Sequence, residues 1–136
     1  MTRTGVMVDW IASAWLIRRF IDPAAVFKFV TARGYRFGRG ELPFDMAGAE
    51  FTHKDGQSTF EVLVERFRLR DSGLKPIAEI VHDLDLEDGK YGRPEAAGVD
   101  RMIVGLAIAK QSDPARLAQG AAMFDNLYES FRRGNR

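Results

Sequence analysis

The chain divides near residue 56 into a first part of short apolar runs and a second part with helical periodicity. Gly5 to Val8 is a short β-prone run ending at Asp9. From Trp10 to Ile21 apolar residues occupy nearly every turn, which predicts a helix with Asp9 as its N-cap. Asp22-Pro23 stops it, because the residue before a proline avoids the α region. Val26 to Thr31 reads as a strand, Tyr35 and Phe37 flank Arg36 in another, and Glu50 to His53 forms a short one before the turn Lys54-Asp55-Gly56. Pro43 to Gly48 is irregular. Ser58-Thr59-Phe60-Glu61 is a capping box, serine capping the backbone while glutamate reaches back, and opens a helix to about Phe67. Another helix starts near Asp71 or Ser72 and ends around Asp85. Pro94 opens a helix to about Lys110, and Asp113-Pro114 opens the last, which ends in the basic tail Arg132 to Arg136. The expected fold is α/β of the α+β kind, a small mixed sheet of about three or four strands with five helices packed on it. Helices dominate the C-terminal half, and residues 1–136 read as a single domain without repeats or linkers.

Helical residues advance about 100° each, so polar side chains that fall on apolar faces can be picked out. Between Leu74 and Asp85 the apolar face comprises Leu74, Ile77, Ala78 and Val81. Asp85 projects near its centre, His82 lies at its shoulder, and Glu79 and Asp83 point toward solvent. A carboxylate on a core-facing line is costly unless paired, hydrogen-bonded or metal-bound. In the first helix Arg18 falls between Ile11 and Ala14, inside the apolar arc, with Arg19 to one side. A guanidinium there needs a bound anion or a carboxylate, for which Asp9, Asp45, Asp85 and Glu95 are available.

Composition narrows the chemistry. The 136 residues are 46% hydrophobic and 29% charged, which excludes a disordered chain. A net charge of +1 provides no field to draw the chain onto nucleic acid or membrane. Arg33, Arg36 and Arg39, interleaved with Tyr35 and Phe37, therefore read as a solvated edge strand, and nucleic-acid contact by this domain is not expected. Cysteine is absent, which removes disulfides, thiolate metal sites and thiol nucleophiles. Any histidine chemistry must use His53 or His82. The longest apolar run, Trp10 to Ile17, is far short of the ~20 residues that span a bilayer, and no signal sequence is evident. A cytoplasmic protein with no membrane partner is expected. The charged loop from Asp85 to Glu95 places its glycines out of register for an EF-hand. Glu79 to His82 matches the E-x-x-H spacing of di-metal bundles but lacks a second such motif.

The block Asp9-Trp10-Ile11-Ala12-Ser13-Ala14-Trp15-Leu16-Ile17-Arg18-Arg19-Phe20-Ile21-Asp22 resembles the ChrB-type chromate-resistance C-terminal domain. Pro43-Phe44-Asp45, Phe51-Thr52-His53, Thr59-Phe60-Glu61, Ile80 to Asp85 and Pro94 to Gly98 follow in the order that family shows. The resemblance covers nearly the whole chain. It implies a bacterial domain tied to chromate resistance, found alone or as the C-terminal half of longer proteins linked to chromate-dependent regulation. It also implies that members often carry cysteine where Ser13 and Ser58 stand, so thiol-based chromate reduction has no thiol to use here.

Three functions follow as expectations, none of which assigns a reaction. In the first, His53, His82, Asp85 and Glu61, completed by Asp9 or Glu50, hold a divalent metal such as Zn, Mn or Fe(II) for detoxification or sensing. In the second, Arg18, Arg19 and Arg93 bind an oxyanion of the chromate or sulfate type without metal. The same positions, with Asp9, Asp45 and Glu95, are otherwise buried ion pairs. In the third, the apolar first helix, or the last helix with its stripe of Met123, Phe124, Leu127, Tyr128 and Phe131, forms a homodimer contact.

Overall fold

A computed structural model describes residues 4–24, 56–87, 89–109 and 112–133. Its elements are α1 (Thr4–Leu16), a π-helical continuation (Ile17–Ile21), α2 (Thr59–Arg66), α3 (Leu74–Leu86), α4 (Glu95–Ala109) and α5 (Asp113–Arg133). No strand occurs among the described residues, where an all-α arrangement stands in place of the expected α/β sheet. The first predicted strand shows why. Val8, Ile11, Ala12 and Trp15 recur at helical spacing and are all buried, so a tertiary stripe overrides the β propensity of Gly5 to Val8. Asp9 consequently sits inside α1 instead of capping it. The other strand segments, Val26 to Thr31, Tyr35 to Phe37 and Glu50 to His53, lie outside the described residues, as do the irregular Pro43 to Gly48 stretch and the Arg33, Arg36 and Arg39 group.

α1 is the central element and packs against each of α2, α3, α4 and α5. On its α5 side the contact is close, because Gly120 brings the backbone of α5 against Ile11. Trp15 organises the aromatic part of the core. Its ring stacks on Phe60 at 6.4 Å and meets Phe124 at 5.8 Å and Tyr128 at 6.1 Å. The indole N–H donates to Asp125 at 2.8 Å, which satisfies its polar edge. Phe124 and Tyr128 of the α5 stripe are thus buried inside the chain, as is most of α1. Arg116 ties the start of α5 to the end of α4 by donating to the Ala107 carbonyl at 3.1 Å.

α1 ends in a widened turn. The Asp22 N–H donates to the Ile17 carbonyl at 2.7 Å, an i to i+5 bond, and Asp22 is extended as the residue before Pro23 must be. The wider turn breaks the α-helical register after Leu16, so Arg18 and Arg19 are exposed and Arg18 is not enclosed in the apolar arc. Among the described residues no helix is long and apolar enough to cross a membrane.

Candidate functional site

Where α1, α2 and α3 meet, the core is polar. Asp9 and Ser13 on α1, Ser58 and Thr59 at the start of α2, and His82 and Asp85 on α3 are each 1% exposed or less. Asp9 faces the N-terminus of α2. Its carboxylate accepts the Thr59 N–H and the Phe60 N–H, both at 2.9 Å, and the Ser13 hydroxyl at 3.3 Å. These amides belong to the first turn of a helix, where no intrahelical partner exists and the dipole favours negative charge. Asp9 therefore caps α2 from another helix, alongside the local capping box of Ser58 and Glu61.

Glu61 carries the network onward. One of its oxygens, Oε1, accepts from the Ser58 N–H at 2.9 Å, the Ser58 hydroxyl at 3.1 Å and His82 Nδ1 at 2.7 Å. An ionised carboxylate only accepts, so in this contact Nδ1 of His82 is the donor. Asp85 lies one turn further along the same buried face of α3. Tyr91 stands edge-on to the imidazole, with ring centroids 5.0 Å apart. Among the described residues no group of three or more His, Asp or Glu side chains is placed to hold a metal ion. Glu61 and His82 are in contact and Asp85 is close in sequence and burial, while His53, Glu50 and Asp45 lie outside the described residues.

The arginines occupy other places. Arg19 bonds Asp125 and Glu129 and lies 4.6 Å over the Tyr128 ring. Desolvation lowers its pKa, but the two carboxylates more than offset this and the net direction is upward. Arg18, Arg19, Trp15, Leu117 and Asp125 line a surface pocket of about 190 Å³ between the end of α1 and α5. Arg93 pairs with Glu79 at 3.5 Å and Glu95 at 3.2 Å, and packs over Phe131. Glu79 is thus engaged with Arg93, and its E-x-x-H spacing to His82 forms no shared site.

The sequence reading passed over three participants: Ser13, Asp83 and Tyr91. Asp83, assigned to solvent, grips the loop after α3 by accepting the Tyr91 N–H and the Arg93 N–H, each at 3.0 Å. Ser13 lies four residues after Asp9, and that i, i+4 pair would have stood out had the helix been started at Thr4.

The described residues and this layer define a helical domain with an acid–histidine network at the junction of three helices. The chain belongs to the family described as ChrB, C-terminal domain, whose model matches residues 1–131. It is 37% identical over 131 residues to Protein ChrB of Cupriavidus metallidurans, covering 96% of this chain and 40% of that protein. The chain therefore spans about two-fifths of that relative's length. No solved structure matches it.

Proposed function

We propose that this ChrB-family domain serves chromate resistance by binding a divalent metal ion at the polar layer, with His82 as the central ligand. The observation that carries the reading is the 2.7 Å contact between the buried His82 and the partly buried Glu61. A carboxylate that takes one imidazole proton fixes the ring and tautomer, which is how metal-ligating histidines are oriented. Asp85 and His53 are the other proposed ligands, and Glu61 holds His82 from behind. One imidazole or two with a carboxylate suit Zn, Mn or Fe(II). Bound there, the metal would supply an open coordination position for an oxyanion or water.

The test is elemental analysis of untagged protein loaded in turn with Zn(II), Mn(II) and anaerobic Fe(II), beside His53→Ala, His82→Ala, Asp85→Asn and Glu61→Gln. The expected result is near-stoichiometric metal that both histidine variants lose, with affinity lowered about 10–100-fold in Glu61→Gln, where the fold is least disturbed. Failure of the wild-type protein to retain any of the three metals overturns the reading.

Oxyanion binding at Arg18 and Arg19 is the second reading, supported by their place on one pocket. Asp125 lines the same pocket and takes up Arg19, so an incoming dianion would meet a carboxylate there. Saturable chromate or sulfate binding to metal-free protein, lost on Arg18→Ala, would favour this reading over the first.

A further inference from the structure

We infer that the outer side of α4 is a self-association surface, on which two copies of this chain pair antiparallel about a two-fold axis, each Arg101 meeting the partner's Asp100. Neither residue belongs to the proposed metal site, so the surface and the site stand or fall separately. α4 is apolar nearly all round, a pattern that belongs to a helix covered on every side. Here one side is covered and the other is not. Ala96, Val99 and Ile103 are buried against the core, whereas Met102 is 57% and Ile108 71% exposed. These are the two most exposed large hydrophobic side chains among the described residues. At about 100° per residue they share the outer side with Gly98, Arg101, Gly105 and Ala109, all of them exposed. The stripes that the sequence offered for a dimer contact, on α1 and α5, are largely turned inward, which leaves α4 as the helix with apolar surface to cover.

Charge selects a second copy as the occupant. α4 has three charged residues, of which Glu95 is paired with Arg93. The side chains of Asp100 and Arg101 form no ion pair or hydrogen bond among the described residues. They are consecutive, opposite in sign and close to the midpoint of the helix, with Arg101 on the apolar side and the half-buried Asp100 at its edge. A surface with one charge of each sign at its centre is complementary to itself. Rotation by 180° about an axis through that centre runs the second helix antiparallel and brings each arginine to the other copy's aspartate, so one pair is made twice. The same rotation places the exposed Met102 side chains against one another's apolar side and removes them from water. A contact between two 15-residue helices, each about 22 Å long, is at the small end of specific interfaces, so a weak dimer in concentration-dependent exchange with monomer is expected.

The test is sedimentation equilibrium of the full chain over a wide concentration range at low ionic strength. Wild-type protein should pass from monomer to dimer mass as concentration rises. Met102→Lys, which adds a cation beside the arginines in the middle of the contact, should weaken association about tenfold or more. Asp100→Arg and Arg101→Asp should each weaken it to a similar extent, because each alone sets like charges against one another. Mixed in equal amounts, the two charge variants should associate about as well as wild type, since each then carries the sign that the other lacks. Recovery in the mixture also shows that both variants are folded. Wild-type protein that stays monomeric throughout overturns the proposal. A dimer that Met102→Lys leaves intact overturns it too, by placing the contact elsewhere, as does a mixture of the charge variants that stays monomeric.

Discussion

Replacing Asp9 by alanine removes the carboxylate through which α1 caps α2, and its cost can be worked from the contacts. The Thr59 and Phe60 N–H groups lose acceptors at 2.9 Å, and the Ser13 hydroxyl loses one at 3.3 Å. All lie in residues with almost no exposure, so water has little access to the freed donors. A hydrogen bond to a charged group contributes about 1.5–3 kcal/mol net, and loss of a cap costs about 0.5–2 kcal/mol. The bonds share one carboxylate and form one cap, so they do not add in full, and a loss of about 3–4 kcal/mol is expected. Against a total of about 5–15 kcal/mol for a domain, this leaves a folded but much weakened protein. Asp9→Asn keeps one acceptor but turns a donor toward the second amide, and should fall between wild type and alanine. Urea unfolding followed by circular dichroism measures the loss. Amide hydrogen exchange localises it, with Thr59 and Phe60 losing protection before the amides of α4 and α5. A loss below about 1 kcal/mol with Thr59 and Phe60 still protected would show that Asp9 is not what satisfies these groups.

The remaining predictions concern packing and pH. A Cβ on Gly120 would lie 2.4 Å from Ile11 Cγ2, so Gly120→Ala must push α5 off α1 at about 1–3 kcal/mol, more than the ~1 kcal/mol that removing a helical glycine returns. Gly105→Ala meets nothing within 4 Å and should stabilise α4 by about 0.5–1 kcal/mol, so the two variants should move Tm in opposite directions. A shift in the same direction for both refutes the close α1–α5 contact. The pKa of Tyr128 is held above its ordinary value by burial and by the hydrogen bond its hydroxyl donates to Asp71. The unfolded chain then releases this proton first, so the contribution is whole below about pH 10 and is lost as pH rises beyond it. Stability of Tyr128→Phe should fall less steeply than wild type above about pH 10 in urea titrations, and parallel curves would remove Tyr128 from the account.

What the sequence revealed depended on whether local signals and tertiary packing agreed. The Ser58–Glu61 capping box was legible because its parts lie within one turn, and both of its bonds are present. The stop at Asp22-Pro23 was legible for the same reason, since proline acts on its immediate neighbour. The start of α1 was not. Gly5 to Val8 has β propensity, and only the burial of Val8 against the other helices makes it helical. That misplaced start also made Asp9 the N-cap of its own helix, whereas its partners are about 50 residues away in Thr59 and Phe60 and leave no trace in local spacing. Arg18 was misread because a regular 3.6-residue turn was carried through a stretch that is π-helical. The family was legible from the Trp10 to Asp22 block, and the match over residues 1–131 establishes it.

The placement of polar groups in this domain is itself an argument. Toward α5, α1 buries Trp15 among Phe60, Phe124 and Tyr128, and the polar edge of Trp15 is satisfied by a single bond to Asp125. Toward α2 and α3 it buries carboxylates, hydroxyls and an imidazole. Apolar residues of similar volume generally serve stability as well as or better than a buried ionic group, so a polar layer is not what packing alone would select. Part of it has a structural task, because Asp9 satisfies the first amides of α2. The Glu61–His82 contact does not share that task. Glu61 completes its capping box with the Ser58 N–H alone, and the imidazole adds a further donor to an oxygen already accepting two. His82, with Asp85 one turn further along α3, is therefore a part of the layer that helix capping does not explain, which is the physical reason for centring the proposed metal site on these side chains.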